Sequence, residues 1–165
     1  METIGKTDSC LHCHGRAEHA FCAMTAEELE AFDAMKAIAP YPRGSVLFAE
    51  GRAPRGVFVL CNGRAKLTVC SETGKRLLVR IAGPGEVLGL GAAISGTNYE
   101  LNAELLDNAK VAFIRRKDLV GFLRTHQDIC MEIVHRLSRD LHVAYERVRN
   151  VGMARTRRPR ALRAS

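Results

Sequence analysis

Three cysteines near the start of the chain, Cys10, Cys13 and Cys22, are interleaved with His12, His14 and His19. Thiolates suit either an iron–sulfur cluster or zinc, and one imidazole with three thiolates is an ordinary zinc set. Cys10 and Cys13 stand three residues apart, close enough to chelate one centre, and Cys22 adds a third thiolate. A fourth ligand has to come from Cys61, Cys70, Cys130 or one of the three histidines. The same residues also fit metal-free redox thiols, or thiols with neither role. Cys61 and Cys70 fall in β-like runs and Cys130 on an apolar helix stripe, where cysteine commonly serves as a small buried hydrophobe.

The second stretch that could do chemistry runs from Gly83 to Glu104. Gly83, Gly85, Gly89, Gly91 and Gly96 fall within fourteen positions. Such density marks backbone that takes positive φ or lets another group approach closely. A small ligand could meet backbone N–H groups there. Tight corners of a β structure would need the same glycines without any ligand.

These stretches need a scaffold, and the chain has enough material for one. At 165 residues and 47% hydrophobic, it supports one compact domain plus an appendage. No apolar run approaches the ~18 residues of a membrane span, and no signal-peptide pattern opens the chain, so the expected location is cytoplasmic, with no membrane partner. Six cysteines in a reducing compartment read as thiols or metal ligands rather than a disulfide framework. Tryptophan is absent and aromatics make up 5%, which argues against a stacking platform for single strands. The net charge is +7, but Arg155, Arg157, Arg158, Arg160 and Arg163 supply five of those charges with no acid after Asn150. The basic character therefore belongs to residues 152–165, expected to be a disordered tail.

Residues 1–24 form a polar, cysteine-rich segment. Thr25 followed by Glu28 has the capping-box spacing, so a helix is expected to start there. Leu29, Phe32, Met35 and Ile38 give it one apolar stripe, and Pro40 and Pro42 end it. From Gly44 to Ile114 the period becomes that of strands. Val46 to Phe48, Val57 to Cys61, Ala65 to Cys70, Leu77 to Ile81, Tyr99 to Leu106 and Val111 to Ile114 are β-like, with Asn62-Gly63 the strongest hairpin signal. Short strands without intervening helices predict an antiparallel sandwich or barrel. After Ile114 the period is helical again, with a short helix over Arg116 to Arg124 and a long one over Asp128 to Asn150. On the latter, Cys130, Val134, Leu137, Leu141, Ala144, Val148 and Val151 alternate steps of four and three. A strict seam about 33 Å long, at ~1.5 Å per residue, predicts pairing with a second helix of the same kind. Ile129 and Ile133 add a stripe suited to the β domain.

In this order the parts resemble the sensory half of the CRP/FNR transcription regulators. The likeness runs from Thr25 to Gly152 and is carried by Arg43 to Phe48, Val57 to Leu67 and Gly83 to Gly89. It implies a mainly β fold with flanking helices: an N-terminal helix, an antiparallel jelly-roll barrel of the cyclic-nucleotide-binding type over residues 25–126, and a dimerisation helix over 127–151. It also implies a ligand site around Gly85, Glu86, Leu88, Gly89, Leu90, Tyr99 and Glu100. The resemblance departs where cAMP-binding members need polar groups. Their ribose-binding glutamate aligns with Leu90, and their phosphate-binding Arg-Ser pair with Tyr99 and Glu100. A phosphate needs a donor-rich, positive cradle, so cAMP is not the expected ligand.

Cys10, Cys13 and Cys22 are similar to the N-terminal cysteines of the oxygen-sensing branch, which bind a [4Fe–4S] cluster with a fourth cysteine in the barrel. That fourth position aligns near Ala112. Family members also continue into a helix-turn-helix reader, whereas the fifteen residues after Asn150 are arginine-rich and cannot form one. The DNA-binding half is thus expected to be absent from this chain, either naturally or through a frameshift. DNA contact would need that half restored, or would be weak and salt-sensitive through Arg155 to Arg163. The expected role is a regulator's sensory and dimerisation domain, forming a homodimer or a heterodimer with a related regulator. The alternative is a metal- or iron–sulfur-binding redox sensor that acts through protein partners. An enzyme is not expected: no G-x-S-x-G, H-E-x-x-H or P-loop occurs, and no catalytic residue is assigned.

Overall fold

The computed structural model describes residues 24–156. Cys10, Cys13, Cys22, their neighbouring histidines and the arginines from Arg157 onward lie outside the described residues. The chain enters at helix α1 (Ala26–Ala34), and the capping box is present: Thr25 Oγ1 accepts from Glu28 N at 3.2 Å and Glu28 Oε2 from Thr25 N at 2.8 Å. The expected four-residue stripe is shorter than the sequence suggests. Met35 caps the helix, and Ile38 and Pro40 belong instead to strand β1 (Ala37–Tyr41). Proline is tolerated there because β1 is the edge strand of its sheet, where a missing N–H can face outward.

Seven further strands follow: β2 (Val46–Phe48), β3 (Gly56–Leu60), β4 (Ala65–Cys70), β5 (Arg76–Ala82), β6 (Val87–Leu88), β7 (Asn102–Leu105) and β8 (Ala109–Arg115). They form two antiparallel four-stranded sheets, β1-β8-β3-β6 and β2-β7-β4-β5. This is the expected jelly-roll architecture. Asn62-Gly63 is not a hairpin turn, because β3 and β4 sit in different sheets. Its positive-φ glycine (φ 72°) and the Asn62 side chain, which accepts from Lys110 N at 2.8 Å, carry the chain from one sheet to the other. Among the described residues, the one consecutive pair that forms a hairpin is β4–β5.

Two cores result. Between the sheets lie Phe48, Leu60, Leu67, Leu88, Leu105 and Val111. On the outer face of the first sheet, Val57, Val59, Ala112 and Ile114 meet Leu29 and Phe32 of α1 and the helices that follow β8. Strand β3 serves both cores in alternation, so it reads as an unbroken apolar run. Each fully buried Leu, Ile or Phe contributes about 2 kcal/mol. Helix α3 (Arg116–Thr125) leads through His126 into α4 (Gln127–Thr156). Ile129 and Ile133 anchor α4 in the helix-side core. The helix runs five residues past its expected end at Val151. Gly152 costs a helix only about 1 kcal/mol, and the next proline is Pro159.

Candidate ligand cavity

The glycine-rich stretch is not simply a turn-rich insert. It holds strand β6 and a six-residue helix, α2 (Leu90–Ser95). Before β6, Gly85 takes φ +84° and its N–H donates to Leu60 O at 2.6 Å. The next residue, Glu86, works as a clasp. Its Oε2 accepts from Gly83 N at 2.5 Å, and its Oε1 accepts from Arg80 at 2.9 Å and Arg136 at 3.3 Å. Arg80 is on β5 and Arg136 on α4, so one carboxylate ties the barrel to the long helix. Gly89 then turns the chain into α2 with φ +82°, where an added Cβ would stand 2.9 Å from the Tyr99 ring.

Tyr99 is 5% exposed. Its ring stacks on Phe48 with centroids 4.3 Å apart, and its hydroxyl donates to Gly56 O at 2.6 Å. Leu90 is likewise buried. Glu100, which follows Tyr99 in the chain, is exposed.

Between this corner of the barrel and α4 lies a cavity of about 500 Å³. Of the residues expected at a ligand site, Leu88, Gly89, Leu90, Tyr99 and Glu100 line it, whereas Gly85 and Glu86 lie outside its lining. Much of the rest of the wall was not anticipated. It comes from Leu67, Val79 and Arg80, and from Arg136, Leu137, Asp140, Val143, Ala144 and Arg147 of α4. A signal for this second wall was present in the sequence: positions 136, 140, 143 and 147 recur at helical spacing beside the apolar seam.

The seam residues divide. Cys130 and Leu137 pack partly against the helix-side core, and Cys130 Sγ donates to Leu123 O at 3.0 Å. Leu137 and Ala144 face the cavity. Val134, Leu141, Val148 and Val151 are 52%, 52%, 71% and 60% exposed. Among the described residues, no group of three or more His, Cys, Asp or Glu side chains is placed to hold a metal ion. The zinc or iron–sulfur expectation therefore rests on Cys10, Cys13 and Cys22, outside the described residues.

Residues 38–126, more than half of the chain, match the model of the cyclic nucleotide-binding domain. The chain belongs to that family. The same fold has been solved in transcription regulators. The Thermus thermophilus catabolite activator protein superposes with a TM-score of 0.74 over 81% of this chain and 62% of that one, at 18% identity. A c-di-GMP-responsive global regulator of Xanthomonas campestris superposes with a TM-score of 0.68 over 78% and 65%, at 19% identity. Among curated sequences, an uncharacterized Haemophilus influenzae protein is 26% identical over 99 residues, 60% of this chain and 77% of its own. The chain thus spans under two thirds of the length of each of these two regulators. No helix among the described residues is long and apolar enough to cross a membrane.

Proposed function

We propose that this chain is the sensory and dimerisation part of a CRP/FNR-type transcription regulator that does not respond to cAMP. Operator contacts would then be made by a helix-turn-helix part that residues 1–165 do not contain. The observation that carries the proposal is the uncovered apolar stripe on α4, where Val134, Leu141, Val148 and Val151 are at least half exposed. Such a stripe at heptad spacing is stabilised when a second copy or a related regulator covers it.

Insensitivity to cAMP follows from the chemistry of the corner. A buried Leu90 cannot accept a hydrogen bond from a ribose hydroxyl, and Tyr99 commits its hydroxyl to Gly56. The test is calorimetric titration of the intact chain with cAMP, alongside light scattering. The expected result is a dimer that takes up no cAMP at millimolar concentration. A monomer, or stoichiometric cAMP binding, would overturn the proposal.

A redox or metal role is a second reading, favoured by the Cys10-x2-Cys13-x8-Cys22 spacing. Anaerobic purification with iron, zinc and sulfide analysis tests it. A colourless, metal-free protein would remove both the cluster and the zinc form.

A further inference from the structure

We infer that the cavity between the barrel and α4 takes an apolar organic monocarboxylate, held at its charged end by arginines of β5 and α4. This inference rests on the proposed sensor role and specifies its ligand. Three guanidiniums line the cavity: Arg80 from β5, and Arg136 and Arg147 from α4. Arg80 and Arg136 share the Glu86 carboxylate.

Arg147 is different. It donates to the Val79 carbonyl and has no carboxylate partner among the described residues. A guanidinium carries five N–H donors, and a planar carboxylate matches that fork in two-point geometry. Val79 precedes Arg80, so the bond from Arg147 brings its guanidinium to the β5 segment from which Arg80 also lines the cavity. The remaining wall is mainly hydrocarbon, including Leu67, Leu88, Leu101 and Val143. A cavity of about 500 Å³ falls within the ordinary range for a small organic ligand.

Two acids, Glu100 and Asp140, also line the cavity. They limit how much negative charge it tolerates, which favours a single carboxylate over a dianionic phosphate ester. A ligand held between β5 and Arg136 or Arg147 would also tether the helix that bears the exposed stripe. Occupancy and helix position would then be coupled.

The experiment titrates the intact chain with octanoate and 2-naphthoate, each against its neutral counterpart, 1-octanol and 2-naphthol. At least one acid should bind about tenfold or more tightly than its neutral partner, the gain expected of a charge-assisted pair. Arg147→Ala, at an exposed helix position, should erase that preference without weakening the neutral compound, and Arg147→Lys should retain part of it. The inference is overturned if neither acid binds, if acid and neutral compound bind alike, or if Arg147→Ala leaves the preference intact. Sedimentation of the same samples separates the two levels of argument. A dimer indifferent to both acids discards the cavity assignment alone. An Arg147-dependent acid binder that sediments as a monomer keeps the cavity and discards the dimer.

Discussion

The first turns of α4 and its later turns carry the same kinds of side chain in opposite surroundings. Ile129 and Ile133 are 4% and 3% exposed in the helix-side core, whereas Val148 and Val151, farther along the same helix, are 71% and 60% exposed. Between them the helix is tethered to the barrel twice, by Arg136 to Glu86 and by Arg147 to the Val79 carbonyl. One helix therefore contains an anchor, a middle section that walls the cavity, and an apolar stripe from Val134 to Val151 that the described residues leave at least half exposed. Apolar periodicity alone does not distinguish the anchor from the uncovered stripe. Contact with the barrel does.

Substitution in the uncovered stripe should have the largest effect. Replacing both Leu141 and Val148 with Asp places two unpaired charges where the proposed interface excludes water, at several kcal/mol of association free energy. Light scattering should report monomers, while circular dichroism keeps the helical signal. Leu137 is a poorer probe, because it packs against the helix-side core and its loss would confuse folding with assembly.

In the anchor the expectation reverses. Ile133→Ala should cost about 2–4 kcal/mol of folding stability, read as a lower urea midpoint. The mass of the native species should not change. A monomeric Ile133→Ala protein with an unchanged midpoint would erase the distinction between anchor and stripe.

The middle section should respond more mildly. Arg136→Ala leaves the mostly buried Glu86 carboxylate with Arg80 and the Gly83 amide as partners, so the loss should be about 1 kcal/mol. Hydrogen exchange should quicken in α4 around Arg136 and remain slow at Ile129 and Ile133.

The smallest effect is expected far from α4, at a bond that serves as a control. Arg64 donates to Asp107 from Nε at 3.0 Å, from a terminal nitrogen at 3.2 Å and from its backbone N–H at 3.1 Å, pinning the β3–β4 link to the β7–β8 link. The side-chain bond from Arg64 holds the Asp107 carboxyl below its ordinary value. A carboxylate with a depressed native pKa stabilises the fold above its unfolded value of about 3.9, and that contribution disappears as pH falls through the lower native value. Asp107→Asn should therefore lower the unfolding midpoint slightly at neutral pH and make no difference in strong acid. Mass and α4 exchange should stay as in the parent chain.

How much of this was legible in the sequence depended on how local the cause was. The Thr25–Glu28 capping box, the turn glycines and strand β4 follow from neighbouring residues, and the structure keeps them. Gly85, Gly89 and Gly96 do take positive φ, as their density suggested, but Gly83 and Gly91 do not. The misread elements are those decided by distant partners. Ile38 continued a helical spacing, yet Ala37–Tyr41 pairs with β8, whose residues Ala109 to Phe113 lie far along the chain. Asn62-Gly63 has the chemistry of a hairpin, but only the sheet order reveals that it crosses between sheets. The barrel half of the cavity was legible through its resemblance to the family. The half supplied by Arg136, Asp140 and Arg147 was hidden behind the stronger apolar seam on the same helix.

The measurement that tests the central claim most directly is sedimentation equilibrium of the intact chain at micromolar concentration. An uncovered heptad stripe on α4 predicts a species of twice the 18.2 kDa chain mass, converted to the single-chain mass by the Leu141→Asp, Val148→Asp double substitution. An unmodified chain that sediments at 18.2 kDa throughout would contradict it.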